Sequence, residues 1–332
     1  MGYNVLITAP RIAQAGLDML DANGANYITI PGYPTEEELI GLVVENNIDA
    51  IILSIGMISA KVINAAPNLR VISKHGIGVD NADVEHATAK GIPVVNGRHS
   101  NSQSVAEHAL GMIIAQMKDF RRLDKNTRGK TWEKTSFRGM ELAGKHVGIV
   151  GFGGNGSRFA RLLKPFGVKI SVYDPYLSDD VFEKEGVTRV ASVEDFIADA
   201  DVISIHSPLT PNSKHMFNAE LISKMKPTAY LNNPARGGII DEDALYEALR
   251  DNKIAGAALD VFETEPPAKD HPLFTLDNIM VSPHIAGITA EALTRMATMS
   301  VENIYAVLDE TPLDPECSIN PDTLPDACRS GW

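Results

Sequence analysis

The chain has 332 residues, 44% hydrophobic and 22% charged, the composition of an ordinary globular protein of about two domains. A formal net charge of −13 with no basic run argues against nucleic acid, because such a surface repels phosphate backbones. No apolar run approaches the roughly 20 residues of a bilayer span, no cationic leader or metal-ligand spacing is present, and the two cysteines are Cys317 and Cys328, so a cytoplasmic protein without membrane, disulfide framework or metal is expected.

In chain order, short β-branched runs alternate with helical segments. Strands are expected at 5–8, 27–30, 50–53, 71–72 and 93–95, with a T-x-x-E capping box, Thr35 to Glu38, opening a helix between them. A long helix is expected over 104–126, opened by a second box, Ser104 to Glu107. After a polar stretch at 125–139 a second series follows, with strands at 146–150, 169–173, 202–205, 229–231, 255–259 and 279–281. A long amphipathic helix over 290–308 and an extended, proline-rich surface tail from Pro312 end the chain. This rhythm predicts an α/β fold with parallel sheets covered by helices.

The sharpest motif is Gly151-Phe152-Gly153-Gly154-Asn155-Gly156. It follows a strand and precedes a helix expected over 157–166. In this G-x-G-x-x-G, Gly151 permits the turn, Gly153 lets backbone approach a pyrophosphate, and Gly156 permits close helix–strand packing. The helix N-terminus offers amides and a positive dipole end to phosphates. Such a motif alone also fits a plain glycine turn. Asp174, at the end of the next strand and about 20 residues on, is where an acid would meet ribose hydroxyls. It would repel a 2′-phosphate, and 175–178 holds no Arg or Lys, so NAD is expected over NADP.

Three later segments, Asn233-Pro234-Ala235-Arg236-Gly237-Gly238, Leu259-Asp260-Val261-Phe262-Glu263-Thr264-Glu265-Pro266 and Ser282-Pro283-His284-Ile285-Ala286-Gly287, together resemble the D-isomer-specific 2-hydroxyacid dehydrogenase family. Gly76-Ile77-Gly78-Val79-Asp80-Asn81 and Ser104-Val105-Ala106-Glu107-His108 extend the resemblance, which covers about 50–320. It implies two Rossmann-like or flavodoxin-like domains, with an NAD domain (101–289) inserted into a discontinuous substrate domain (1–100 and 290–332). A cleft between them would hold nicotinamide and substrate. It also implies a homodimer through the 104–126 helix and the stretch near Trp132 and Phe137, and the D-isomer.

The residue types suit the implied roles. Arg236 offers a planar fork to the carboxylate and ketone of a 2-oxo acid. His284, a residue type that titrates near neutrality, is the implied proton donor, and Glu265 would fix its tautomer. By residue type alone His206, His215 and His271 are equally eligible acids, an Arg before Gly-Gly is commonly solvated, and a Glu in that loop is commonly a surface charge. Implied cofactor contacts are Gly151, Gly153, Gly154, Asn155, Gly156, Asp174, His206, Pro208, Pro234, Ala235, Asp260 and Gly287. Asp260 would meet the nicotinamide carboxamide, or cap a turn. Ile77 and Gly78, with Arg236 and His284, would bind substrate, although the glycine pair also reads as a β-turn. Ser104 to Glu107 is explained as a helix cap.

Two departures matter. Asn155 stands where the family has an aliphatic residue. Leu53-Ser54-Ile55-Gly56-Met57 lacks the arginine that phosphoglycerate dehydrogenases carry there. Lys74 and Arg98 are the remaining cations, and each is a poorer phosphate clamp. The chain also ends before the regulatory domain that many of those enzymes append. Glyoxylate, hydroxypyruvate or another small 2-oxo acid is therefore expected over phosphoglycerate. Phosphoglycerate dehydrogenase, a non-enzymatic NAD-sensing corepressor-like protein, and a dehydrogenase of formate remain the alternatives.

Overall fold

A computed structural model describes residues 2–330 and 332. The chain separates into two compact units, one of Met1–Asn101 with Ile288–Trp332 and one of Ser102–Gly287, so the second is inserted into the first.

The first unit holds a parallel sheet of β1 (Asn4–Ile7), β2 (Asn26–Thr29), β3 (Ala50–Leu53), β4 (Val71–Lys74) and β5 (Val94–Asn96). The order is β2-β1-β3-β4-β5. Strand period two sends alternate side chains to opposite faces. Val5, Ile7, Ala50, Ile52 and Val71 join a core with Ala297, Val301 and Ile304 of the helix Ala290–Leu308. Leu6, Ile51, Leu53 and Ile72 join another with Leu39, Val43 and Val62. Both faces are covered, so the central strands read as continuous apolar runs. The tail departs from the expected extended surface strand. It forms three 3-10 turns, Pro315–Cys317, Pro321–Thr323 and Asp326–Arg329, and Cys317, Leu324 and Cys328 are buried in the core. Asn320 accepts from the Val94 amide at 2.7 Å, and the Ile319 amide donates to the Val94 carbonyl at 2.9 Å. The tail thereby covers edge strand β5.

The second unit holds β6 (His146–Val150), β7 (Lys169–Tyr173), β8 (Thr188–Arg189), β9 (Val202–Ile205), β10 (Tyr230–Asn233), β11 (Gly256–Leu259) and β12 (Ile279–Val281). All pairings are parallel, in the order β12-β11-β10-β9-β6-β7-β8. The winding reverses between β6 and β9, the switch point where open α/β sheets bind ligands at the strands' carboxyl ends. The two-residue edge strand β8 carries too little pattern to be seen in sequence.

Two expected helices are corrected. The segment 104–126 is two helices, Ser102–Met117 and Phe120–Arg128, separated at Asp119, which has φ 51°. The first begins before Ser104, which is buried within it, so the Ser104 to Glu107 box is no cap. The helix expected over 157–166 runs over Gly154–Leu163 and tightens into a 3-10 turn at Lys164–Phe166. Its start lies before the third glycine of the motif, with Gly153 as the N-cap.

Candidate active site

Every site residue expected in the second unit lies on a loop following a strand's carboxyl end, or at the start of the helix after β6. After β6, Gly151 has φ +88°, and a Cβ there would sit 2.7 Å from the Ser207 amide nitrogen. A Cβ on Gly156 would sit 2.1 Å from the Gly151 carbonyl oxygen, whereas one on Gly153 would meet nothing within 4 Å. Two of the glycines thus close the turn, and the third keeps open space above it. Gly153 is the N-cap of the following helix and makes no side-chain cap bond, so the first-turn amides face outward, the arrangement that suits a phosphate. Gly154 and Asn155 lie in that first turn. After β7, Asp174 accepts from the Phe152 amide at 2.8 Å and from the Tyr176 amide at 3.0 Å. The carboxylate therefore stands beside the glycine turn, where a dinucleotide's ribose would lie. This cradle fits NAD.

His206 follows β9. Its ring is buried, packs on Phe159 at 4.9 Å between centroids, and has Nε2 2.9 Å from Ser204 Oγ. Burial lowers its pKa to about 3. The ring is neutral and lies beneath the glycine turn, so it does not serve as an acid. Pro208 is exposed on the same loop.

After β10, Asn233 organises the arginine turn. Its Oδ1 accepts from the Ala235 amide at 3.0 Å and its Nδ2 donates to the Arg236 carbonyl at 2.8 Å. Pro234 and Ala235 are buried in this turn, while Arg236 is partly exposed and donates to the Ala235 carbonyl at 2.7 Å. A Cβ on Gly237 would fall 1.8 Å from the Phe262 carbonyl oxygen, so the arginine turn lies directly against the loop that carries Glu265.

The Glu265 and His284 side chains are both partly exposed, with Oε2 and Nδ1 2.7 Å apart. Glu265 also accepts from the Phe262 amide at 3.0 Å. Burial pushes its carboxyl up, but the bonds from His284 and Phe262 and the charges of His284 and Arg236 outweigh it, and the carboxyl is held below its usual range. A clasp supports this loop: the Glu263 amide donates to Glu242 at 2.7 Å and the Glu242 amide to Glu263 at 3.3 Å. His215 and His271 each lie 3.0 Å from one of these carboxylates, Glu263 and Glu242 respectively.

His284 has φ +54°, a strained region for a residue other than glycine, at a cost of about 1–2 kcal/mol. Asp260 holds it there. Its carbonyl accepts from the His284 amide at 2.7 Å, and its carboxylate accepts from Ile285 at 2.9 Å, Ala286 at 2.7 Å and Ser282 Oγ at 2.6 Å. The side chain has no exposed surface. Asp260 is therefore the anchor of the His284 turn. Gly287 ends the same segment. Neither Asn233, the Glu242–Glu263 clasp nor the Ser282 contact was foreseen. All are side chains answering backbone amides of distant loops, which no local spacing announces.

In the first unit, the loop after β4 carries Ile77 and Gly78. Asn96 donates to the Ile77 carbonyl at 2.8 Å, and the Gly97 amide to the Gly76 carbonyl at 2.8 Å. Lys74 donates to the Ser54 carbonyl at 3.1 Å and to Asn81 at 2.8 Å. Arg98 pairs with Glu316 at 3.2 Å. Among the described residues no cluster of three His, Cys, Asp or Glu could hold a metal, and no helix is long and apolar enough to cross a membrane.

A doubly wound domain with a glycine turn, an acid after its second strand and an Arg–Glu–His set holds the parts that a dinucleotide-linked dehydrogenase would need. Residues 110–286 match the model of the D-isomer specific 2-hydroxyacid dehydrogenase, NAD binding domain, and the chain belongs to that family. It is 42% identical over 275 residues to a D-3-phosphoglycerate dehydrogenase of Methanocaldococcus jannaschii, covering 82% of this chain and 52% of that protein. It is 38% identical over 275 residues to a hydroxypyruvate reductase of Thermotoga maritima, covering 82% of this chain and 88% of that protein. The crystal structure of the PH0520 protein from Pyrococcus horikoshii superposes with a TM-score of 0.82 at 34% identity, covering 97% of this chain and 96% of that one. The chain spans about half the length of the phosphoglycerate dehydrogenases it matches.

Proposed function

We propose that the chain catalyses NAD(H)-linked interconversion of a small 2-oxo acid and its D-2-hydroxy acid. The observation that carries this reading is the 2.7 Å pair of His284 with Glu265, whose carboxyl also feels the Arg236 charge. On this reading the inserted unit (102–287) holds the coenzyme: Gly151, Gly153, Gly154, Asn155 and Gly156 cradle the pyrophosphate, and Asp174 takes the ribose hydroxyls. The unit of 1–101 and 288–332 is the substrate domain, with Ile77 and Gly78 meeting the carboxylate.

Bound NADH supplies the hydride for C2. Arg236 binds the carboxylate and carbonyl oxygen and polarises the ketone. His284 delivers a proton to that oxygen from its Nε2, because Nδ1 is committed to Glu265. Glu265, kept ionised, stabilises the ring while it carries the proton and holds its plane. In the reverse direction the same ring nitrogen takes the hydroxyl proton.

Lys74 and Arg98 already bond to protein groups, and Ser54 and Ile55 bring no charge, so a phosphate on C3 gains little. The identity to phosphoglycerate dehydrogenases favours a second reading, in which the phosphorylated acid is the substrate. A cytoplasmic homodimer accompanies either reading: Phe120 and Trp132 are exposed apolar groups along the expected contact, and both cysteines are free. The test is NADH oxidation with glyoxylate, hydroxypyruvate, 3-phosphohydroxypyruvate and pyruvate. The first reading expects the highest kcat/KM for an unphosphorylated acid. A tenfold or greater preference for the phosphorylated acid selects the second, and no turnover of any of them removes both.

A further inference from the structure

Asp260 is a buried carboxylate, a state that is costly unless its oxygens are filled. Ile285, Ala286 and Ser282 fill them, and together with the Asp260 carbonyl they set the left-handed turn at His284. Successive amides aimed at one anion form a nest, whose geometry follows the anion's position.

Something must fix that position in turn. His108, on the helix Ser102–Met117, places Nε2 3.1 Å from Ser282 Oγ and 3.7 Å from Asp260 Oδ1. Ser282 donates its only proton to Asp260, so its oxygen accepts from the histidine. One helical turn on, Met112 Sδ lies 3.9 Å from the same hydroxyl and packs beside it. The helix is thereby tied through one hydroxyl to the carboxylate that holds the proton-donating loop.

We propose that His108 and Ser282 are positioning residues for His284, acting through a relay in which His108 Nε2–H donates to Ser282 Oγ, and Ser282 O–H donates to Asp260. His108 acts through Ser282 and Asp260. Its effect is to keep the Asp260 carboxylate in register with the Ile285 and Ala286 amides, so that the imidazole faces its reaction partner. The kinetic consequence rests on the function proposed above, whereas the structural consequence does not.

The test compares His108→Leu, which removes the donor, with His108→Gln, which keeps an N–H, and with Ser282→Ala. The relay expects a kcat fall of about tenfold in the Leu and Ala variants, the scale of a small misplacement of a reacting group, with KM for NADH unchanged. It also expects amide exchange at Ile285 and Ala286 to accelerate about tenfold, with the Gln variant close to wild type in both readouts. Equal damage from Gln and Leu overturns the relay, because packing rather than the N–H is then at work. Unchanged exchange and kcat in all three variants, in a protein whose His284→Gln variant is inactive, overturns the relay and leaves the proposed function standing. Accelerated exchange in Leu but not Gln, in a protein that turns over no 2-oxo acid, supports the relay and removes the proposed function.

Discussion

Glu265 Oε2 stands 2.7 Å from His284 Nδ1, and the same carboxylate accepts from the Phe262 amide. The pair commits Nδ1 and leaves Nε2 as the other ring nitrogen. Glu265→Gln keeps a hydrogen-bonding group but removes the charge. The variant can no longer balance the charge of the ring while it carries the proton. Its kcat should fall about 10- to 100-fold. Steady-state reduction of a 2-oxo acid by NADH at pH 7 checks this. The Glu265 carboxyl is held below its ordinary value of 4.5. Its contribution to stability is therefore complete above about pH 4.5 and is lost as pH falls through the depressed value.

The glycine turn separates fold from binding. Gly156→Ala drives a Cβ onto the Gly151 carbonyl, and backbone cannot yield as a flexible side chain would. A stability loss of about 2–3 kcal/mol is expected. Gly153→Ala has open space around it, so its melting temperature should match wild type, while its NADH affinity falls at least tenfold because the methyl occupies the approach to the pyrophosphate. Thermal melts and NADH fluorescence titration distinguish the two. Matching melts for both variants would refute the packing role of Gly156.

Coenzyme choice should follow Asp174. Wild type is expected to use NADH with a kcat/KM at least a hundredfold above NADPH. Asp174→Ser should narrow that ratio about tenfold, by removing the repulsion of the 2′-phosphate. Comparative kinetics with both coenzymes reads it directly, and a wild-type preference for NADPH contradicts it.

Acid sensitivity should follow His206. Burial lowers its pKa from 6.5 to about 3. Below pH 6.5 the unfolded chain binds a proton that the folded chain refuses, so stability falls as pH drops from about 6.5 toward 3. The slope is about 1.4 kcal/mol per pH unit for such a ring. His75, lowered to about 4 mainly by burial, adds to the same window. Urea denaturation at pH 4.5, 5.5 and 6.5 should show a shallower pH dependence for His206→Gln than for wild type. Parallel curves would rule His206 out.

Much of the fold was legible because parallel strands buried on both faces write themselves as runs such as Ala50–Leu53 and Val202–Ile205. The glycine motif was legible because its spacing is itself the steric requirement. The break at Asp119 was not, since neither glycine nor proline marks it and the surrounding residues favour a helix. Nor was the burial of the tail: its prolines announce turns, but the pairing of Asn320 with the Val94 amide depends on a strand more than 220 residues away. Arg236, Glu265 and His284 were found by motif, yet what holds them was hidden. The side chains of Asn233, Asp260 and Ser282 act on loop groups that meet only once the sheet has ordered β10, β11 and β12 side by side.

The central claim is that His284 and Arg236 do chemistry rather than support structure. The most direct measurement is reduction of the best 2-oxo acid by His284→Gln and Arg236→Lys, alongside NADH binding to the same proteins. The account predicts NADH affinities within about threefold of wild type and kcat/KM reduced at least a hundredfold in each. Turnover within tenfold of wild type in either variant, with NADH bound normally, would contradict it.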